Sequence, residues 1–197
     1  MFRVGKILTR NCKNNSRSFM LETMNELEEV LIHDLEIAVE RAKQTGQFDV
    51  ADYLSLKNTN DTIRTESVKW LFETVLDIVF TFNRHGANIK IEQKPNHKFE
   101  FNRSNLSGEL LKLRQGVRCL SIEAGWTRTP ADGFMRGGAL AAAKLSHFGF
   151  KKMNEDLALL EFDGTHQWFS IADERNRISF NVQSLKKHFE VFLEVNS

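Results

Sequence analysis

Around Asp163-Gly164 the residues alternate, Leu157 to Phe162 before the pair and His166 to Ile171 after it. Asp-Gly between two alternating runs calls for a two-residue hairpin, because its turn needs positive φ at both central positions. That register sets Ala158 opposite Phe169 and Leu160 opposite Gln167, with Leu159 and Trp168 on the other face. A second turn, Asp173-Glu174-Arg175-Asn176, carries the pattern on, pairing Ile171 with Ile178 and Phe169 with Phe180. Leu160, Phe162, Phe169, Ile171, Ile178, Phe180 and Val182 then share one face. A chain holding such a meander must bury one side of an antiparallel sheet. The helix expected over Ser184 to Val195 offers Leu185, Phe189, Phe192 and Leu193 as cover.

Helical periodicity dominates the first half of the chain. Met20, Met24, Leu27, Leu31, Leu35, Ala38 and Ala42 recur at spacings of three and four, which predicts a helix from Ser18 to Thr45 stopped by Gly46. Phe48 to Leu56 reads as a short helix, Asn58 to Asp61 as a turn, and Thr62 to Arg84 as a third helix, apolar on most sides and ended by Gly86. A hairpin is expected next, joining Ile89–Glu92 to Lys98–Phe101 through an odd loop or a bulge at Lys94-Pro95-Asn96. An even loop would set Ile91 against Glu100. Leu106, Leu110 and Leu113 suggest a short helix, and Val117 to Ala124 an interior strand. Thr129-Pro130-Ala131-Asp132 has the composition of a helix start, with a capping threonine, proline at the first position and an acid three residues on. The expected helix runs to Phe148 and carries Gly133, Gly137 and Gly138 inside it, each at a cost of about 1 kcal/mol against alanine. Close approach of the helix to a sheet, another helix or a ligand would offset that.

The fold class is therefore α+β, with long N-terminal helices packed on a mainly antiparallel sheet, then strand, helix, meander and helix. Residues 1–16 read as an arm or short strand, 17–86 as a helical region and 87–197 as an α+β region that forms one compact domain with it. The 197 residues suffice for one core, and the 16 phenylalanines and 3 tryptophans can fill it. Cys12 and Cys119 form no Cys-x-x-Cys pair, so thiolate zinc chemistry is not indicated and a reduced protein is the simpler reading. No signal peptide or membrane-length apolar run is visible, and the expectation is a cytoplasmic protein without membrane contact.

Charge is segregated. Residues 17–83 carry six Lys and Arg against thirteen Asp and Glu, whereas residues 84–152 carry thirteen against five. A basic block of this kind attracts phosphates or an acidic partner unless the acidic helices neutralise it within the fold. Candidate anion-binding residues are Trp126, Arg128 and Arg136 around the helix start at Pro130, where free N–H groups favour anions. The structural alternatives are Asp132 filling that start, Arg128 pairing with Glu123, and Trp126 in the core. Lys90, Lys98, Arg103, Arg114 and Arg118 are candidate phosphate or partner contacts, and Glu123 and Asp132 the only acid–base candidates near the loop. Glu161 opposite His166 is read as a cross-strand ion pair before an acid–base pair.

The histidines are scattered, the nucleophile motif Gly-x-Ser-x-Gly is absent, and no motif calls for a metal or cofactor. The expected function is a non-enzymatic accessory or adaptor protein that engages an anionic protein partner through its basic middle. The alternatives are a nucleic-acid-binding module and a small enzyme acting on a phosphate or carboxylate substrate.

Overall fold

The computed structural model describes residue 30, residues 33–173 and residues 176–194. The arm at 1–16, most of the front of the first expected helix, Glu174 and Arg175 in the last turn, and Val195 lie outside the described residues. The chain divides into two compact units, Met1–Asn60 and Asp61–Ser197.

In the first unit residues 33–44 form helix α1. The turn at Gly46, φ +74°, ends it as expected, and Thr45 Oγ1 donates to Arg41 O at 3.0 Å. Helix α2 spans Phe48–Arg84 without the expected break at Asn58–Asp61. That polar run holds neither glycine nor proline, and two of its side chains bond along the helix itself. Thr59 Oγ1 donates to Ser55 O at 3.0 Å, and Asp61 pairs with Arg64 at 2.7 Å. Polar residues here mark a solvated helix face.

The second unit is built on one seven-stranded antiparallel sheet whose strands are neighbours in chain order. They are β1 (Lys90–Phe101), β2 (Ser104–Gln115), β3 (Arg118–Trp126), β4 (Ala141–His147), β5 (Glu155–Phe162), β6 (Thr165–Asp173) and β7 (Asn176–Ser179). Helix α3 spans Val182–Leu193, starting two residues earlier than expected because Asn181 Oδ1 accepts from Gln183 N and Ser184 N. From α2, Val68, Leu71, Phe72, Val75 and Val79, and from α3, Leu185, Phe189 and Phe192, share one core with Leu111, Leu113, Leu120, Ile122, Leu145, Leu157 and Leu159. The α+β class and the sheet covered mainly on one face stand as read from the sequence. No helix among the described residues is long and apolar enough to cross a membrane.

Four local expectations change. The short helix expected from near Ser107 to Gly116 is strand β2. Leu111 and Leu113 join the main core while Leu106 packs with Phe101 and Ala142 on the opposite face, so the leucines follow a two-faced strand. The expected hairpin within 89–101 is instead one continuous strand, β1, with a register irregularity between Lys94 and His97 and its partner in β2. Pro95 has no N–H for a ladder and is tolerated here on an edge strand at a bulge.

The helix expected over 130–148 is a loop followed by strand β4. Gly133, Gly137 and Gly138 take φ of +96°, +66° and +76°, values a right-handed helix excludes. Ala141 and Ala143 lie under the helices and Ala142 under the opposite cluster, so small residues serve a strand squeezed on both faces. Finally, β5 and β6 pair as expected, Ala158 with Phe169 and Leu160 with Gln167. Strands β6 and β7 are one residue off, with Phe169 opposite Ser179 and Ser170 opposite Ile178, after an irregularity between Ile171 and Asp173. Phe180 consequently enters the main core and Ile178 is left 58% exposed.

Candidate binding face

Strand alternation divides the sheet into a helix-side face and a second face that no helix covers among the described residues. On β1 the second face receives Lys90, Glu92 and Lys94, whose β2 partners are Arg114, Lys112 and Leu110. Across β3 the same rows continue as Cys119, Ser121 and Glu123. On β4 they reach Ser146 and Lys144, and Lys144 stands opposite Asp156 of β5.

The bulge in β1 decides which residue joins them. Strict alternation would put His97 on the helix side. The extra residue between Lys94 and His97 turns His97 onto the open face, opposite Gly108. With no side chain at Gly108, His97 Nε2 reaches over β2 to Glu123 Oε1 at 2.7 Å. Gly108 is also dictated by backbone approach. A Cβ there would lie 2.0 Å from Ala124 O, so β2 and β3 come together only because this position and Gly125 are glycines. The His97 ring lies nearly parallel to Phe99, centroids 6.0 Å apart. Asp156 is half-buried, and burial pushes its carboxyl above the usual range while the Lys144 ammonium pulls it back. The open face is thus a mixed-charge surface with Lys90, Lys94, Lys112, Arg114 and Lys144 around His97–Glu123.

The far end of this face is closed by the loop between β3 and β4. Its Met135 packs against both Leu160–Phe169 and Phe101–Leu106, and its Phe134 carbonyl accepts from Ser104 Oγ at 3.0 Å. Trp126, an anion-site candidate whose structural alternative was the core, is 7% exposed and belongs to the main core. The Arg128 guanidinium lies 3.9 Å above its ring. Asp132 Oδ2 accepts from Arg128 N, Thr129 N and Thr129 Oγ1, bonds that hold its carboxyl below the usual range. It closes the single 3-10 turn Pro130–Asp132, and no helix follows. The helix-start argument for an anion site therefore falls with the helix. Arg136 lies in the next short turn, and its side chain is outside the described residues.

Glu123 turns to the open face and Trp126 to the core, while Asp132 stays in the loop at Arg128, so the two acid–base candidates do not come together. Of the basic candidates, Lys90 and Arg114 stand opposite each other on the open face. Lys98 faces Ser107 on the helix side, Arg103 lies in the β1–β2 turn, and Arg118 pairs with Glu194 after α3. Glu161 and His166 are cross-strand partners as expected, with no ion pair between them among the described residues.

One constellation has no counterpart in the sequence reading. His147 Nε2 and His188 Nδ1 are 2.9 Å apart, and His188 Nε2 lies 2.5 Å from Glu155 Oε2. Both histidines are buried, on β4 and α3, and their rings stack at 5.2 Å. Burial and the neighbouring His188 push His147 down to about 4. The hydrogen bonds of His188 and Ser170 hold the Glu155 carboxyl below its ordinary range. The chain Glu155–His188–His147 ties α3 to the sheet end. Among the described residues no three His, Cys, Asp or Glu side chains stand in metal-binding geometry. No protein-family model, curated protein or solved structure matches this chain.

Proposed function

We propose that this chain is a non-enzymatic, cytoplasmic accessory protein that docks an acidic segment of a protein partner on the open face of β1–β4. The observation that carries the reading is the gathering of Lys90, Lys94, Lys112, Arg114 and Lys144 on the sheet face that no helix covers among the described residues. Opposed potentials steer encounter and fix register. A nucleic-acid partner fits this face less well. Glu92, Glu123 and Asp156 stand among the cations at strand spacing, about 5 Å apart, and a phosphate backbone crossing the rows would lie against them. A polypeptide alternates charged with neutral groups and can satisfy both signs.

The test is an anisotropy titration with a fluorescent Glu/Asp-rich peptide and, in parallel, a single-stranded oligonucleotide, each at rising salt. The peptide is expected to bind at low salt and to weaken about tenfold or more in the double variant Lys112→Glu, Lys144→Glu. Tighter binding of the oligonucleotide, or peptide binding indifferent to the double variant, sinks the proposal.

A further inference from the structure

In the first unit a short turn at 45–47 sets α1 and the start of α2 side by side as antiparallel neighbours. Between them runs an open groove of about 560 Å³. It is lined by Asp34, Ile37, Ala38 and Arg41 of α1 and by Val50 and Leu54 of α2, with Thr45 and Gln47 at the turn end. We infer that this groove is a homodimer interface, filled by α1 of a second copy of the chain in antiparallel, two-fold packing. The hairpin leaves most of its own apolar surface open. Among the described residues of this unit only Ala42 and Ala51 are buried, while Phe48, Val50, Tyr53 and Leu56 are between 46% and 65% exposed. Helices draw most of their stability from packed apolar faces, so this pair calls for cover.

The charge pattern selects the cover. Asp34, Ala38, Arg41 and Thr45 recur at spacings of four, three and four, the seam of a helix that packs along another helix. Asp34 and Arg41 lie seven residues apart on that seam, about 10 Å along the axis. Both are exposed, and neither makes an ion pair among the described residues. An acid toward one end and a base toward the other make the seam self-complementary. A second α1 laid antiparallel brings Asp34 of each copy against Arg41 of the other. The same register sets Ile37 over Ala38, so a large side chain meets a small one on either side of the two-fold axis. A partner helix of uniform charge would meet a like charge at one end. Thr45 Oγ1 is already spent within the turn, where it donates to Arg41 O and Ala42 O. The groove shares no residue with the open sheet face, so the two proposals stand or fall independently.

The experiment is analytical ultracentrifugation of the full chain from about 1 to about 200 µM, a range suited to an interface at the small end of the scale. A reversible monomer–dimer equilibrium is expected. Asp34→Arg and Arg41→Asp each replace two attractive pairs by two repulsive ones and should weaken the dimer about tenfold or more. An equimolar mixture of the two single variants restores both pairs and should dimerise about as well as the unaltered chain, as should the double variant Asp34→Arg, Arg41→Asp. Both positions are exposed, and circular dichroism checks that each variant folds. The unaltered chain is a test in itself, since a monomer across the whole range overturns the inference. A dimer indifferent to both reversals, or weakened by them without recovery in the mixture, overturns it as well.

Discussion

Acidification from about pH 7 to about pH 4.5 is expected to lower the unfolding free energy by about 2 to 3 kcal/mol through His147 alone. The sign follows from proton counts. His147 titrates near 6.5 when exposed in the unfolded chain and near 4 in the fold. Between those values the unfolded chain binds the extra proton, so stability is full above about pH 6.5 and is lost as pH falls toward 4. Glu155 acts in the same direction. Its carboxyl is held below the ordinary range by His188, so its contribution is lost on further acidification. Urea unfolding at several pH values measures the slope. The variant His147→Phe keeps a ring at the site but cannot take up the proton, and it should show a flatter pH dependence over this window. An identical slope in both proteins would remove His147 from the acid response.

Phe189→Ala is expected to cost about 3 to 5 kcal/mol, about a fifth or more of the stability of an ordinary domain. Phe189 is fully buried on α3. Its ring stacks on Phe82 of α2 at 6.0 Å and 11°, and meets Phe192 edge-on at 6.3 Å. Truncation leaves a cavity where both helices meet the sheet, and well-packed surroundings collapse only partly into it. Phe134→Ala is the natural comparison. Phe134 is 82% exposed in the β3–β4 loop and should change stability by less than about 0.5 kcal/mol. Urea midpoints at neutral pH decide. Equal effects of the two substitutions would mean that α3 does not share the central core.

What the sequence disclosed tracks the range of the interactions involved. The Asp163-Gly164 hairpin was legible because a two-residue turn leaves one register and that register buries one face. The β6–β7 pairing escaped because an irregularity after Ile171 shifts it by one residue, which alternation alone does not reveal. Ala141–Ala143 mimicked a helix, since alanine favours helices, but the decisive fact is non-local: both faces of β4 lie under other side chains. The positive φ of Gly133, Gly137 and Gly138 is the conformational signature that excludes the helix. Among site residues, Lys90 and Arg114 were legible as members of a basic block, and strand pairing placed them opposite each other. His97 and Asp156 were not, because a bulge turned one onto the open face toward Glu123 and a cross-strand partner placed the other. Pro95 in an alternating run was the local sign of that bulge. The bonded pair His147 and His188, 41 residues apart, is legible only in the fold.

The most direct measurement of the central claim is an amide chemical-shift map of isotope-labelled protein titrated with the Glu/Asp-rich peptide. Perturbed amides are expected to cluster on residues 90–94, 110–114, 119–123 and 144–146, with the outer surfaces of α2 and α3 unchanged. Shifts centred on those helices, or no shifts at low salt, would contradict it.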